Sequence, residues 1–128
     1  MTDAPQKFSQ LIGLVAEPHA PGGARVTLPS VEAIHRNSNG VAHGSVLHAL
    51  LDSSMGLEAR EARKCKAIAT VEISVRFLEP VRDGKLVARA KALRVGRRLV
   101  FCSGELWRGQ EGGELVATAQ GTFTVLED

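Results

Sequence analysis

With 128 residues, 44% of them hydrophobic and 23% charged, the chain has the makeup of one ordinary globular domain spanning residues 1–128, and no apolar run approaches the ~18–20 residues of a membrane-spanning helix. A formal charge of +2, four Phe, one Trp and no Tyr supply neither the basic field nor the stacking rings that a nucleic-acid binder uses. The opening residues, MTDAPQKFSQ, lack the basic-then-apolar pattern of a signal peptide, so a cytoplasmic location is expected.

Residues 4–12 predict a short helix with Pro5 in its first turn and Phe8, Leu11 and Ile12 on one face. LVAEPHA reads as an edge strand, because Pro18 cannot donate to a ladder. Pro21-Gly22-Gly23 turns into a strand at Arg25–Pro29, and residues 30–42 form an irregular segment with turn chemistry at Asn37, Asn39 and Gly40. From Gly44 to Arg63 the chain is proline-free and rich in helix formers, with Arg60, Arg63 and Lys64 suiting the negative end of the dipole. Val46, Leu47, Ala49, Leu50, Leu51 and Met55 surround its first half, which predicts a buried helix.

The period then changes from helical to alternating. In IATVEISVRFL the residues Ala69, Val71, Ile73, Val75 and Phe77 alternate with Thr70, Glu72, Ser74 and Arg76, which predicts a half-buried strand with Thr70 on its polar side. Strands at Lys85–Val95, Leu99–Trp107 and Glu114–Leu126 follow, separated by Gly-containing turns, and the four are expected to form an antiparallel meander. A buried helix and such a sheet make an α+β architecture, a curved sheet wrapped round one central helix.

The segment HRNSNGVAHGSVLHALLD, His35 to Asp52, concentrates the chemistry. Gly44, at the start of a buried helix, offers an N–H with no intrahelical acceptor at the positive end of the dipole. Its missing side chain lets a ligand oxygen come close, so it is a candidate oxyanion donor, although taken alone the glycine is more simply explained by a tight turn into the helix. Asp52 lies among Leu50, Leu51 and Met55, where an unpaired carboxylate is costly; it is either a base or a salt-bridged structural group. Asn37 offers an amide to a carbonyl or simply shapes its turn. Thr70 offers a hydroxyl to a nucleophilic water or is an ordinary strand threonine.

Spacing constrains how these act together. Gly44 and Asp52 are eight residues apart, about 12 Å along a helix, so one carbonyl cannot touch both groups of one chain. If they cooperate, one subunit supplies the N–H and its neighbour the carboxylate. The motif therefore predicts a dimer with shared sites.

Other residues carry weaker signals. Cys65 and Cys102 match neither a metal nor a redox spacing and read as structural thiols, and no metal site is expected. His48, four residues before Asp52, suggests a structural His–Asp contact. Ser45 is the one tempting nucleophile, but no strand–G-x-S-x-G–helix context surrounds it. Arg97 and Arg98, in a turn downstream of Lys85, Arg89, Lys91 and Arg94, can meet phosphate charges or form a solvated face.

The chain resembles the acyl-CoA thioesterases of the hotdog fold, of the type related to phenylacetyl-CoA and 4-hydroxybenzoyl-CoA thioesterases. N-x-x-G-x-x-H-G, the Asp fifteen residues after Asn37, TVEISVRFLEPV, the Gly96-Arg97 turn and the closing ATAQGTFTV carry the likeness over nearly its whole length. The resemblance implies that Asn37 and the Gly44 N–H bind the thioester carbonyl, that Asp52 from the facing subunit is nucleophile or general base, and that Thr70 positions water. It makes His43 a support for the loop. Homodimers, often paired into homotetramers, and no metal or cofactor beyond the coenzyme A of the substrate are likewise implied. Where the family often has His-Gly-Gly, this chain has Ser45, a residue near the carbonyl site that bears on acyl preference. Arg97 and Arg98 would take the phosphates of CoA. A non-catalytic acyl-CoA-binding module is the alternative, and a hotdog hydratase or dehydratase ranks last because the Asp–His pair such enzymes typically carry has no counterpart here.

Overall fold

The computed structural model describes residues 6–128. A short helix α1 (Phe8–Leu11) leads to strands β1 (Val15–Glu17) and β2 (Arg25–Leu28); a 3₁₀ turn (Ala33–His35) and a loop precede the long helix α2 (Gly44–Arg63). Strands β3 (Ala67–Phe77), β4 (Leu86–Val95), β5 (Leu99–Arg108) and β6 (Glu114–Glu127) complete the chain. Together they form one antiparallel six-stranded sheet, ordered β1-β2-β4-β5-β6-β3, with α2 packed across it. This is the curved sheet around a central helix that the resemblance implies. No helix among the described residues is long and apolar enough to cross a membrane.

Helix α2 starts and stops where its chemistry dictates. His43 is extended and caps the first turn through its ring, while Lys64 adopts the left-handed conformation and ends the last. Leu47, Leu50, Leu51, Met55 and Ala59 are fully or almost fully buried against the sheet. Glycines on the facing strands let the helix in. A side chain on Gly104 would stand 3.1 Å from Leu51 Cδ2, and one on Gly121 would stand 3.2 Å from Met55 Cε, so the helix side chains would have to give way by a few tenths of an ångström.

The expected four-strand meander is only partly formed. Strands β4, β5 and β6 are joined by hairpin turns, but β3 pairs with β6 and lies at the far edge. Residues 78–85 form a crossover instead of a hairpin. Val81 drops into the core, its carbonyl accepts from Ala42 N–H at 2.6 Å, and Gly84 O accepts from Val31 N–H at 2.9 Å. Burying Val81 and tying this segment to the loop before α2 outweighs a local turn. In consequence β3 presents eleven residues with no neighbouring strand on its outer side among the described residues.

The alternation within β3 also differs. Val71 is an extra residue between the Thr70–Phe123 and Glu72–Thr122 pairs, a β-bulge that reverses the facing of everything before it. Ile68 and Thr70 thereby share the inward side with Ile73 and Val75, and Val71 is exposed. The short first helix is also smaller than the expected 4–12, of which residues 4 and 5, including Pro5, lie outside the described residues; Phe8 and Leu11 are exposed rather than core-facing.

On the opposite side of the sheet, Arg25 and Arg89 stand directly across from each other on β2 and β4. Like charges in that position repel, and Glu111 offsets this by reaching Arg25 at 3.5 Å and Arg89 at 3.2 Å. Glu17 adds a two-bond contact to Arg25, which holds the Glu17 carboxyl below its usual range.

Candidate active site

The first half of the site is built where the irregular loop meets α2. An Arg36–Ala42 bridge closes the loop on itself, and His43 N–H donates to His35 O at 2.7 Å. His35 is buried and fixed at both ring nitrogens, Nδ1 accepting from Glu32 N–H and Nε2 facing Ile12 O at 2.7 Å. Its role is structural: it anchors the chain just ahead of the helix.

Within this frame the helix N-terminus is selectively capped. His43 Nδ1 accepts from Ser45 N–H at 3.0 Å and lies 2.7 Å from Ser45 Oγ, while Val46 N–H donates to His43 O. Gly44 N–H has no acceptor among the described residues. A side chain added at Gly44 would make only ordinary contact with Phe77, at 3.5 Å, so packing does not demand glycine there. Beside it lies a crevice of about 290 Å³ lined by Val41, Ala42, Gly44, Leu47, Phe77 and Pro80 among others.

Asn37 serves its turn with one end only. Its Oδ1 accepts from Asn39 N–H at 2.9 Å and Val41 N–H at 3.4 Å. The side-chain NH₂ makes no hydrogen bond among the described residues and is free to donate.

The second half lies further along the same helix. Asp52 is half-buried, and Thr70 Oγ1 donates to its Oδ1 at 2.8 Å. That contact exists because the bulge at Val71 turns Thr70 toward α2. Asp52 also lines a cavity of about 470 Å³ between α2, the start of β3 and strands β1 and β2. Leu14, Ala16, Val26, Leu57 and Ile68 give it an apolar wall, and Arg60 and Lys66 stand in the same lining.

The structure thus places Asp52 with Thr70, and Gly44 with His43 and Ser45, in separate hollows of one chain. Arg97 and Arg98 join neither. They flank a third hollow with Val125, Leu126 and Asp128, beside Arg63, whose Nε donates to Arg97 O at 3.0 Å. Arg63 is eleven residues past Asp52, about 16 Å further along the helix and away from Gly44. Of the upstream cations, Arg89 is spent on Glu111 and the carbonyls of Gly23 and Pro21.

His48 makes no hydrogen bond to Asp52, whose side-chain partner is Thr70. No cluster of three or more His, Cys, Asp or Glu side chains suited to a metal exists among the described residues. Sequence reasoning misses Phe77, Gly56, Arg60 and Lys66. The helical stripe Asp52, Gly56, Arg60, four residues apart, is the signal for two of them.

Comparison with known proteins identifies the family and the fold. The family model of the thioesterase superfamily matches residues 39–115. A conserved protein of Pseudomonas aeruginosa, PA5202, superposes with a TM-score of 0.84 at 34% identity, covering 95% of each chain. A mutant of the phenylacetic acid degradation protein PaaI of Thermus thermophilus superposes with a TM-score of 0.81 at 30% identity, covering 93% of this chain and 98% of its own. The fold is shared also with the BH2602 protein of Bacillus halodurans, whose structure was solved with CoA; the TM-score is 0.84 at 23% identity, over 99% of this chain and 83% of that one. The chain belongs to the thioesterase superfamily and has its hotdog fold.

Proposed function

We propose that this protein hydrolyses CoA thioesters at sites shared between two copies of the chain. The observation that carries this reading is the division of the machinery: an unengaged Gly44 N–H and a Thr70-bonded Asp52 occupy opposite parts of one helix, about 12 Å apart. A two-fold partner supplies what each half lacks. The unpaired β3 edge offers the surface for it, because an exposed strand edge of that length is a template for pairing. Membership of the superfamily supports the activity, and CoA in the BH2602 structure supports the class of ligand.

In this mechanism the thioester carbonyl accepts from the Gly44 N–H and the Asn37 side-chain NH₂ of one protomer. These donors stabilise the charge that develops on oxygen. Asp52 of the partner subunit uses the carboxylate oxygen that Thr70 leaves free, either attacking the carbonyl carbon or taking a proton from water that does. In the water route the new C–O bond forms, the C–S bond breaks, and the proton on Asp52 passes to the departing thiolate; in the direct route the bond from Asp52 to the acyl carbon replaces the C–S bond, the thiolate leaves, and water then cleaves the mixed anhydride to free acid and the Asp52 carboxylate. His43 and Ser45 hold the helix start in place beside the carbonyl. Arg97 and Arg98, which lie with neither half of the site, are given no part in this mechanism, and it needs no metal or further cofactor. Pairing of two such dimers into a tetramer is compatible with this arrangement.

The test is free-thiol release from a panel of aryl- and alkyl-CoA esters by the native chain and by Asp52→Asn. Hydrolysis by the native chain, lost in the variant with the fold and dimer intact, is the expected result. Tight binding of CoA esters without turnover would instead make this a non-catalytic acyl-CoA-binding module.

A further inference from the structure

We propose that the cavity beside Asp52 selects acyl chains that end in a carboxylate, which Arg60 and Lys66 hold at the far end. The inference rests on the thioesterase reading and specifies the acyl group that it leaves open.

The cavity lining combines Asp52, Arg60, Lys66 and the serines Ser9 and Ser53 with apolar side chains. Asp52 and Arg60 are the first and last α2 residues of its lining, eight residues apart, about 12 Å along the helix. Strand β3 runs back along the helix and gives an independent measure. Thr70, bonded to Asp52, lies four residues after Lys66, which immediately precedes β3, at most about 13 Å of extended chain. Both cation-bearing residues are therefore displaced from the Asp52–Thr70 pair toward the same end of the helix.

Leu14, Ala16, Val26, Leu57 and Ile68 form walls suited to methylene groups. Gly56, midway between Asp52 and Arg60 on the helix, also lines the cavity.

The two cations differ in their present partners. Arg60 has one carboxylate contact, Nε to its chain neighbour Glu61 at 3.4 Å, and Glu61 also meets His19 at 3.2 Å. Lys66 pairs with no carboxylate among the described residues. An extended chain advances about 1.2 Å per bond, so 12 Å spans roughly ten bonds, fewer where the cationic side chains reach inward. The matching substrate is a dicarboxylic acid of about six to ten carbons, esterified to the thiol at one end. A phosphate of CoA is the other anion that reaches such cations, but the amide groups of the pantetheine arm would go unbonded against these apolar walls.

The test compares the CoA monothioester of octanedioic acid with octanoyl-CoA, and both acyl groups as N-acetylcysteamine thioesters, which carry no phosphate. The wild-type protein is expected to prefer the diacid by at least about tenfold in kcat/KM in both series, and Arg60→Gln with Lys66→Gln to erase that preference. Arg60→Lys, which keeps the charge, is expected to retain it. Equal rates on the two acyl groups in the wild-type protein would overturn the assignment. So would a double variant that weakens both CoA esters alike and neither phosphate-free ester, which would place CoA phosphate on these cations.

Calorimetric titration with octanoate, whose single carboxylate stands in for the far end of the acyl group, and with uncharged octanamide separates this inference from the thioesterase reading. Tighter binding of the carboxylate, lost in the double variant, supports the pocket assignment even if no thioester is hydrolysed; equal binding overturns it. Circular dichroism of the double variant confirms that it is folded.

Discussion

Thr70 Oγ1 donates to Asp52 Oδ1 across 2.8 Å, joining strand β3 to helix α2 at the wall of the Asp52 cavity. The bond fixes one carboxylate oxygen and leaves the other for chemistry. It also fixes the rotamer of a side chain that has no ion-pair partner among the described residues. A hydrogen bond to a charged group is worth about 1.5–3 kcal/mol. Thr70→Val, which keeps the shape and removes the hydroxyl, is therefore expected to lower kcat for CoA-ester hydrolysis by roughly ten- to a hundredfold with little change in KM. Thr70→Ser should recover most of it. Steady-state kinetics on the two variants checks this.

Gly44 makes a contrasting case, because nothing in the fold requires it to be glycine. Its φ is not positive, and a methyl group would touch only the Phe77 ring at ordinary distance. Gly44→Ala is expected to leave the thermal midpoint unchanged or slightly raised, since alanine is the better helix former. The same methyl would push the substrate carbonyl away from the N–H, and kcat/KM should fall by at least about tenfold. Thermal unfolding and kinetics on one preparation separate the two effects.

The two cysteines should behave differently. Cys102 is buried under α2, its thiol facing Met55 O at 3.6 Å, and burial pushes the thiol up to about 12, with the Glu58 carboxylate adding to the effect. Cys65 is half-buried. One thiol should react with a thiol reagent in the native protein and two after denaturation.

The raised Cys102 value also links stability to pH. An unfolded chain ionises this thiol near its ordinary value of 9.0 and the folded chain only near 12, so the unfolded state gives up its proton first. The resulting stability is complete below pH 9 and drains away as pH rises toward 12, by at most about 1.4 kcal/mol per unit. Cys102→Ala should flatten that part of the curve, measured by denaturant unfolding from pH 8 to 11.

Much of this architecture is legible in the residues themselves. The boundaries of α2 follow from His43-Gly44 at one end and Lys64 at the other, and the strands from their alternation. Two departures have physical causes. A period of two identifies a strand but not its neighbour, so the pattern alone puts β3 beside β4, whereas burial of Val81 carries the chain to the other side of the sheet. A bulge leaves no mark on a pattern of β-branched residues. Val71 looks as inward-facing as Ile73, and only the register shows that Thr70 takes the inward place. The site motif is readable in its residue types, and its partition into two hollows follows from helix rise alone. The cavity walls are not readable, because Leu14, Val26 and Ile68 meet only through the tertiary fold.

The central claim is that Gly44 of one protomer works with Asp52 of the partner subunit, and mixing two inactive variants tests it most directly. Gly44→Val and Asp52→Asn proteins are each inactive on this account, in both possible sites of a dimer. When they are unfolded together and refolded, half the dimers are mixed, and each mixed dimer regains one intact site. CoA-ester hydrolysis should return to about a quarter of the wild-type level. Restoration to that level would establish the shared site; refolded mixed dimers with no activity would contradict it.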